Sequence, residues 1–333
     1  MVVVIDFRNT GIDYSALSMF TGELWQDIVS SHPAHHFIFI TRKKTITQTA
    51  GNLVAFQLLR TGLGWVDKKI LQRKLTKWQA DRLITLHDTG FTVRQLFQEK
   101  RLEKALKPDK RVSFTVSENT VVDGVAASVL QPAFRKVIAD MSWTEAESIK
   151  TQYTGGRSFF LFAGDIVEAH QLIELLKAFS VFKKWQQSNM QLVIAGSITK
   201  WSSVLEEKLA TYKYKQDVVM IRNAGNEVIA KLVAACYAMV YPGAVTGFPL
   251  GMLWAIQSNK AIIATDNATN KQFTQAAAWV ADHNTAEGFA RAMQLLYKDE
   301  QQQQLLVQQT KEQAKQINRQ QLLATAWQCI AEG

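Results

Sequence analysis

The chain has 333 residues, 47% of them hydrophobic, which is enough for about two ordinary domains with cores of their own. No apolar run approaches the roughly 20 residues of a transmembrane helix, and the short run at Val2 is followed at once by charge, so neither a membrane span nor a signal peptide is predicted. Residues 1–135 hold 19 basic against 12 acidic side chains, and this excess fits either an anionic partner or a basic surface kept for solubility.

The first half of the chain contains strand-like apolar runs, with an amphipathic helix after the first of them. The runs are VVVIDF, HFIFIT, RLITLH and RVSFTVS, and the helix is YSALSMFTGELWQDIVSS. Gly11 follows the first strand, where it either lets the backbone approach a phosphate or simply makes the turn into the helix. His87 and Asp88 lie at the carboxyl end of the third run, where a histidine is either a functional group or a hydrogen-bonded structural residue.

Residues 53–79 form a basic amphipathic stretch, with six basic side chains and one acidic side chain among apolar residues. Such a stretch can lie on an anionic membrane surface. Alternatively, its apolar residues pack on the domain core while lysine and arginine stay in water. No recognised RNA- or DNA-binding module accompanies it, so nucleic acid is not predicted as a partner.

The strand rhythm is lost between the two halves, and we predict the domain boundary there. The predicted amino-terminal domain covers residues 1–135, the linker covers 136–158 and the carboxyl-terminal domain covers 159–333. The glutamine-rich segment from Asp299 retains leucines and Trp327 and contains no proline, which favours a packed helix pair over a disordered tail.

The second half alternates short apolar runs with helix-length segments, which is typical of βα units and a parallel sheet. The runs include FFLFAG, MQLVIAGS, VVMIRNAG, YAMVYPG and KAIIATD. Most end in glycine or a small polar residue, which predicts ligand-binding loops at the carboxyl edge of the sheet. The predicted fold class is α/β. The two cysteines lie in apolar segments and indicate a reducing cytoplasm.

In their order and spacing, these motifs resemble family 4 glycosyltransferases of the GT-B fold. The resemblance is carried by VVVIDFRNTGIDYSALSMFTGELW, TVSENTVVDG, FFLFAGDIVEAHQLIELLKAF, LVIAGS and YPGAVTGFPLGMLWAI. It implies two Rossmann-like domains with parallel sheets facing across a cleft. It also implies a UDP- or GDP-linked sugar donor held mainly by the second domain, an acceptor held by the first, and transfer with retention of anomeric configuration. No metal or other cofactor is implied.

The resemblance places the donor phosphates beside Gly164, but the side chains that follow depart from the family pattern. Asp165 stands where the family has arginine, and His170 stands where it has lysine. A leaving nucleoside diphosphate needs positive charge, whereas Asp165 is negative and a histidine is largely neutral near pH 7 unless a neighbour raises its pKa.

A second departure lies in the segment that the resemblance identifies as the donor-binding helix. Thr246 and Trp254 replace two glutamates, the first of which orients sugar hydroxyls in the family while the second binds the ribose. The turn through Gly247 and Phe248 would still open a helix whose free N–H groups face a phosphate. The resemblance also compares His87 and Asp88 with a His-Asp stretch that lines the cleft of the family.

Two hypotheses follow from the sequence. The chain is either a divergent hexosyltransferase acting on a cell-envelope glycan or lipid-linked acceptor, or a catalytically inactive pseudo-glycosyltransferase kept as a binding or partner-regulating scaffold. The first implies a role in polysaccharide biosynthesis. Both predict a cytoplasmic protein, with peripheral contact at the inner face of the membrane through residues 53–79 as an open alternative. His32, His35 and His36 lack nearby cysteine or carboxylate ligands, so no metal site is predicted.

Overall fold

A computed structural model describes residues 1–6, 16–41, 51–57, 64–87, 111–115, 121–122, 125–126, 128–130, 133, 141–243, 250–267, 270–271, 274–281 and 285–332. The chain divides into two compact units. The first comprises Met1–Arg135 together with Asn318–Gly333, and the second comprises Lys136–Ile317.

The first unit is built on a parallel six-stranded sheet. The sheet order is β3-β2-β1-β4-β5-β8, and a two-stranded antiparallel hairpin of β6 and β7 lies apart from it. Its elements are β1 (Val2–Asp6), α1 (Ala16–Ser31), β2 (His36–Thr41), β3 (Leu53–Gln57), α2 (Gly64–Lys77), β4 (Arg82–His87), β5 (Arg111–Thr115), β6 (Val121–Val122), β7 (Val125–Ala126) and β8 (Ser128–Val129).

The central strand of this sheet is apolar on both faces, as expected where helices cover a parallel sheet from both sides. Val3, Val4 and Ile5 of β1 are almost completely buried. Helix α2 contributes Leu71 and Leu75 to the same core, where they pack with β-strand residues in one cluster.

The second unit repeats the scheme with the strand order β11-β10-β9-β12-β13-β14, and every neighbouring pair is parallel. This confirms the predicted pair of α/β domains with parallel sheets. Its elements are α3 (Trp143–Thr154), β9 (Phe159–Ala163), α4 (Leu172–Gln186), β10 (Gln191–Gly196), α5 (Ser202–Ala210), β11 (Val218–Arg222), α6 (Asn226–Ala235), β12 (Ala238–Tyr241), α7 (Leu250–Gln257), β13 (Ala261–Ala264), β14 (Ala278–Val280), α8 (Ala286–Lys298) and α9 (Glu300–Gln316).

Aromatic side chains supply much of the core of the second unit. Phe160 and Phe162 point from β9, and Phe179 and Phe182 come from α4, which packs closely with α8. Phe160 and Phe182 meet edge to face, with ring centroids 5.3 Å apart. Burial of each such ring contributes about 1.5–3 kcal/mol, so the apolar pattern of FFLFA fixes this strand at the centre of the sheet.

The segment predicted as a linker, residues 136–158, belongs to the second unit. Within it, α3 begins with a capping box, because the Ser142 side chain accepts from the Glu145 amide while the Glu145 carboxylate accepts from the Ser142 amide. Gly155 ends the helix in the left-handed conformation, at φ 61°. A capped helix thus occupies the stretch in which the strand rhythm is lost.

The predicted carboxyl-terminal domain also differs from the structure at its far end. Both predicted helices after Asp299 are present, but the second, α10 (Arg319–Glu332), belongs to the first unit. Arg319 donates to Asp27 at 2.6 and 2.8 Å and to the Ala133 carbonyl at 2.6 Å. Contacts over nearly the whole sequence length therefore hold α10 on the first unit.

Candidate functional site

The second sheet contains a topological switch point between β9 and β12, where the strand order reverses direction. Open parallel sheets bind ligands outside the carboxyl ends of the strands at such a point. Here β9 ends at Ala163 and is followed by Gly164, while β12 ends at Tyr241 and is followed by Pro242 and Gly243. The predicted phosphate position at Gly164 and Asp165 thus lies at the switch point.

Three glycines allow the backbone to pack closely around this edge. A Cβ added to Gly243 would lie 2.5 Å from the Cα of His170, and one added to Gly251 would lie 2.8 Å from the Ala163 carbonyl oxygen. A Cβ on Gly196 would collide with the Gly164 carbonyl. Helix α7 therefore begins directly against the end of β9.

His170 lies in the segment between β9 and α4 and is buried, with 5% of its surface exposed. Its Nδ1 lies 2.6 Å from the Asp165 carbonyl oxygen and its Nε2 lies 3.0 Å from the Tyr241 hydroxyl. These partners assign a neutral tautomer in which Nδ1–H donates to the carbonyl and Nε2 accepts from the tyrosine. Burial lowers the pKa of His170, more than the neighbouring carbonyl and carboxylate of Asp165 raise it.

The His170–Tyr241 pair is consequently a buried structural hydrogen bond inside the second unit. Burial raises the pKa of the Tyr241 hydroxyl, so this group stays protonated and keeps donating to the histidine. His170 is one of the predicted donor-binding residues, but its two ring nitrogens are both engaged within the protein. It presents no positive charge to a ligand in this arrangement.

Asp165 is exposed, unlike His170, and it lies directly after Gly164 at the switch point. Its backbone carbonyl holds His170 and also accepts from the Val167 amide at 3.0 Å. An anion at the end of β9 would therefore meet a carboxylate of like charge.

Trp254 is almost completely buried within α7, with 2% of its surface exposed. The residue that we predicted in the place of a ribose-binding glutamate is thus an interior side chain of the second unit. Thr246, Gly247 and Phe248, the other predicted residues of this segment, lie outside the described residues.

The first unit has an equivalent switch point between β1 and β4, because its sheet follows the same order around these strands. His87 is the last residue of β4 and lies opposite Thr115 of β5. The predicted residues Gly11 and Asp88 follow β1 and β4, respectively, and lie outside the described part of the chain.

The loop after β13 contributes side chains to the same edge that sequence reasoning missed. Asn270 is 1% exposed and donates through Nδ2 to the Thr265 carbonyl at 3.0 Å and to the Gly243 carbonyl at 3.5 Å. Thr265 in turn donates its hydroxyl to the Pro242 carbonyl. The signal in the sequence was the pair of asparagines in TDNATN directly after a predicted strand.

Two cations at this edge of the second unit are matched by carboxylates. Lys271 lies 2.5 Å from Asp266, and Arg222 lies 2.8 Å from Glu206. All four side chains are substantially exposed, so each pair is worth about 0–1 kcal/mol and its cation can still turn toward a ligand.

The described residues contain no group of three or more His, Cys, Asp or Glu side chains that could hold a metal ion. Two of the histidines near the start of the chain make structural contacts, since the rings of His32 and His35 lie against Trp327 of α10 with centroids 3.6 and 5.0 Å away. Within the described ranges, no helix has the length and apolar character needed to cross a bilayer.

The family and the fold are shown by comparison with known proteins. Residues 144–315, slightly more than half of the chain, match the group 1 glycosyl transferases. WaaG, a glycosyltransferase involved in lipopolysaccharide biosynthesis, has a similar structure, with a TM-score of 0.75 and 11% identity over 100% of both chains. A glycosyltransferase from Rickettsia africae ESF-5 superimposes with a TM-score of 0.77 and 12% identity over 99% of this chain and 98% of the other.

Anabaena Alr3699/HepE, whose structure is known in complex with UDP-glucose, has a TM-score of 0.72 and 13% identity over 100% of this chain and 98% of its own. These similarities confirm the predicted GT-B fold. No curated protein sequence matches the chain.

Proposed function

The chain belongs to the group 1 glycosyltransferases, and we propose that it transfers a hexosyl unit from a nucleotide sugar to a cell-envelope glycan or lipid-linked acceptor with retention of configuration. The donor, UDP- or GDP-linked, occupies the carboxyl edge of the second sheet. The acceptor is held by the first unit. The observation that carries the proposal is the glycine-lined switch point, at which α7 begins against the end of β9.

The chemistry of the reaction defines what this edge must supply. Breaking the bond between the sugar and the diphosphate releases about two negative charges, which need hydrogen-bond donors as the bond lengthens. Since Asp165 is negative and His170 is neutral and buried, we propose that main-chain N–H groups bind the phosphates. Gly164 and Gly243 leave space for that approach on the two sides of the switch point. On the acceptor side, His87 and Asp88 remain our candidates for contact with the transferred sugar.

The test is binding of nucleotides followed by an assay of transfer. Calorimetric titration of the full chain with UDP, GDP, UDP-glucose and GDP-mannose is expected to show at least one saturable interaction. A ligand that binds the native state stabilises it by RT ln(1 + [L]/Kd), so the same nucleotide should raise Tm. Binding without any release of nucleoside diphosphate in the presence of envelope glycans would argue against transfer.

A second candidate function is a catalytically inactive scaffold that binds a partner through the retained fold. It is favoured by two specific observations, the engagement of both His170 ring nitrogens and the burial of Trp254. For this candidate we expect no change of Tm at millimolar concentrations of any of the four nucleotides. A clear rise in Tm would exclude a scaffold that has lost its donor site.

We also propose peripheral contact with an anionic membrane surface on the cytoplasmic side. Lys69, Arg73 and Lys77 recur every four residues along α2 and are exposed, while Leu71 and Leu75 of the same helix are buried in the core. With the apolar face occupied, this contact is electrostatic rather than insertive.

Co-sedimentation with vesicles of phosphatidylserine and phosphatidylcholine tests this contact. Binding should weaken with added salt and when Lys69, Arg73 and Lys77 are changed to glutamine. The matched control changes Lys208, Lys213 and Lys215, three exposed lysines of the second unit, to glutamine. An equal loss of vesicle binding in both triple variants would mean that net charge, and not the basic face of α2, drives the binding.

A further inference from the structure

Two buried amide atoms beside the switch point of the second sheet have no hydrogen-bond partner. They are Oδ1 of Asn270 and Nδ2 of Asn267. Leaving a buried polar atom unsatisfied usually costs about 1–3 kcal/mol, so such atoms are rare in native proteins and call for a specific explanation.

The orientation of both amides is fixed by backbone contacts. Asn270 uses Nδ2 to donate to the Thr265 and Gly243 carbonyls, which leaves Oδ1 as its free atom. Asn267 uses its side-chain Oδ1 to accept from the backbone N–H of Asn270 at 2.8 Å, which leaves Nδ2 as its free atom. The segment therefore contains one unpaired acceptor and one unpaired two-proton donor, both buried, on neighbouring side chains.

Local structure explains only one of the two polar atoms in each asparagine side chain. Asn267 caps the turn that contains Asn270, and a serine or an aspartate could accept the same hydrogen bond. The amide nitrogen of Asn267 has no part in that cap. Likewise, the contacts of Asn270 to two carbonyls require its nitrogen but not its oxygen.

The pair is connected to the proposed donor site through the backbone. Asn270 contacts the Gly243 carbonyl, and Gly243 packs so closely on Ala169 and His170 that an added Cβ would collide with their backbone. His170 is in turn bonded to the carbonyl of Asp165. The two asparagines thus belong to the same edge as the end of β9.

We propose that Asn267 and Asn270 recognise hydroxyl groups of the sugar carried by the donor, an inference that rests on the proposed function. A phosphate oxygen offers only lone pairs and would be repelled by the Asn270 oxygen, whereas an alcohol can donate to that oxygen and accept from the Asn267 nitrogen. The ligand class that matches both free atoms is therefore a polyol. The ribose of the nucleotide belongs to this class as well, so equal weakening of diphosphate and nucleotide-sugar binding would assign the pair to the ribose instead of the transferred sugar.

The experiment compares nucleotide sugars with their nucleoside diphosphates on the full chain. Wild type, Asn267→Ser, Asn270→Leu and the control Thr274→Val are titrated by calorimetry with UDP, UDP-glucose, GDP and GDP-mannose. Serine keeps the cap and removes only the free donor, so this variant is expected to remain folded. Thr274 is buried in the same segment and bonds the Asn270 carbonyl, which makes it a control for local packing.

Asn267→Ser should bind the preferred nucleotide sugar about threefold to tenfold more weakly, as expected for one neutral hydrogen bond, and should bind the matching diphosphate unchanged. Asn270→Leu also removes the hydrogen bonds to the Thr265 and Gly243 carbonyls, so it should weaken binding of the nucleotide sugar at least as much. The control should change neither affinity. If wild type binds diphosphate and nucleotide sugar but Asn267→Ser weakens both equally or neither, the inference is wrong while the proposed function stands. If wild type binds none of the four ligands, the proposed function fails, and the inference fails with it. A change in Tm alone would identify a structural pair bridged by buried water.

Discussion

Replacing Tyr241 by phenylalanine should destabilise the second unit throughout the pH range in which His170 is neutral. The substitution removes a single hydroxyl, which donates to His170 across 3.0 Å in a site where both residues are buried. The ring contacts of Tyr241 with Phe162 and His170 are kept. The effect therefore measures the hydrogen bond rather than the packing.

The magnitude follows from the burial of the group left behind. Without the hydroxyl, the Nε2 of His170 is a buried acceptor with no partner, which costs about 1–3 kcal/mol. In a unit of this size, a loss of about 1 kcal/mol lowers Tm by about 2–4 °C. We thus expect a decrease of roughly 2–12 °C.

The sign of the pH dependence follows from the lowered pKa of His170. Between that lowered value and the ordinary value of about 6.5, the unfolded chain binds a proton that the folded unit does not. The stability contributed by neutral His170 is therefore complete above pH about 6.5 and is lost as pH falls through this window. Because burial lowers this pKa and is unchanged by the substitution, Tyr241→Phe should keep the dependence on pH while its Tm lies below that of wild type.

Thermal unfolding followed by circular dichroism between pH 5 and 8 provides the assay, with His170→Phe as the control that removes the titrating group. That control should show the smallest dependence on pH of the three proteins. The structural role of the pair is refuted if Tyr241→Phe is as stable as wild type at pH 8. It is also refuted if the Tm of wild type does not fall toward pH 5 relative to that of His170→Phe.

Three further changes test the site and the division of the chain. Asp165→Asn should bind UDP or GDP about twofold to fivefold more tightly in low salt by calorimetry, since it removes an exposed like charge, whereas Glu168→Gln, nearby and also exposed, should have a smaller effect. Gly243→Ala should lower the Tm of the second unit by several degrees, because its Cβ would overlap the His170 backbone, whereas Gly22→Ala, where nothing lies within 4 Å, should stabilise α1 by about 0.5–1 kcal/mol. Arg319→Gln should expose α10 to limited proteolysis, because it breaks partly buried ion pairs with Asp27 and Glu23, and equal protection of α10 in both proteins would contradict its anchoring role.

The apolar runs predicted the strands of the second sheet and β1, β2, β4 and β5 of the first, but not β3 (Leu53–Gln57), which lies in the basic stretch, or the two-residue strand β8 (Ser128–Val129). FFLFA is apolar at every position because β9 is covered on both faces. Such a run is a local feature, so the sequence alone is enough to recognise it. The position of α10 could not be predicted in the same way. Its attachment depends on contacts such as that between Arg319 and Asp27, which are 292 residues apart in sequence.

The chemical state of the candidate site was equally hidden in the sequence. The residue type and spacing of His170 are visible, but its neutrality results from burial and from two partners, one of which, Tyr241, lies 71 residues away. Burial of Trp254 likewise depends on how α7 meets the sheet. Tertiary contacts, and not local pattern, decide whether a side chain at such an edge faces a ligand or the interior.

The discontinuous composition of the first unit has a consequence for biosynthesis. Residues 318–333 leave the ribosome after all of residues 136–317, so the continuous second unit can fold during translation while the first still lacks α10. Until that helix emerges, Glu23 and Asp27 remain without Arg319, and the face of α1 that α10 covers stays open to chaperones and proteases.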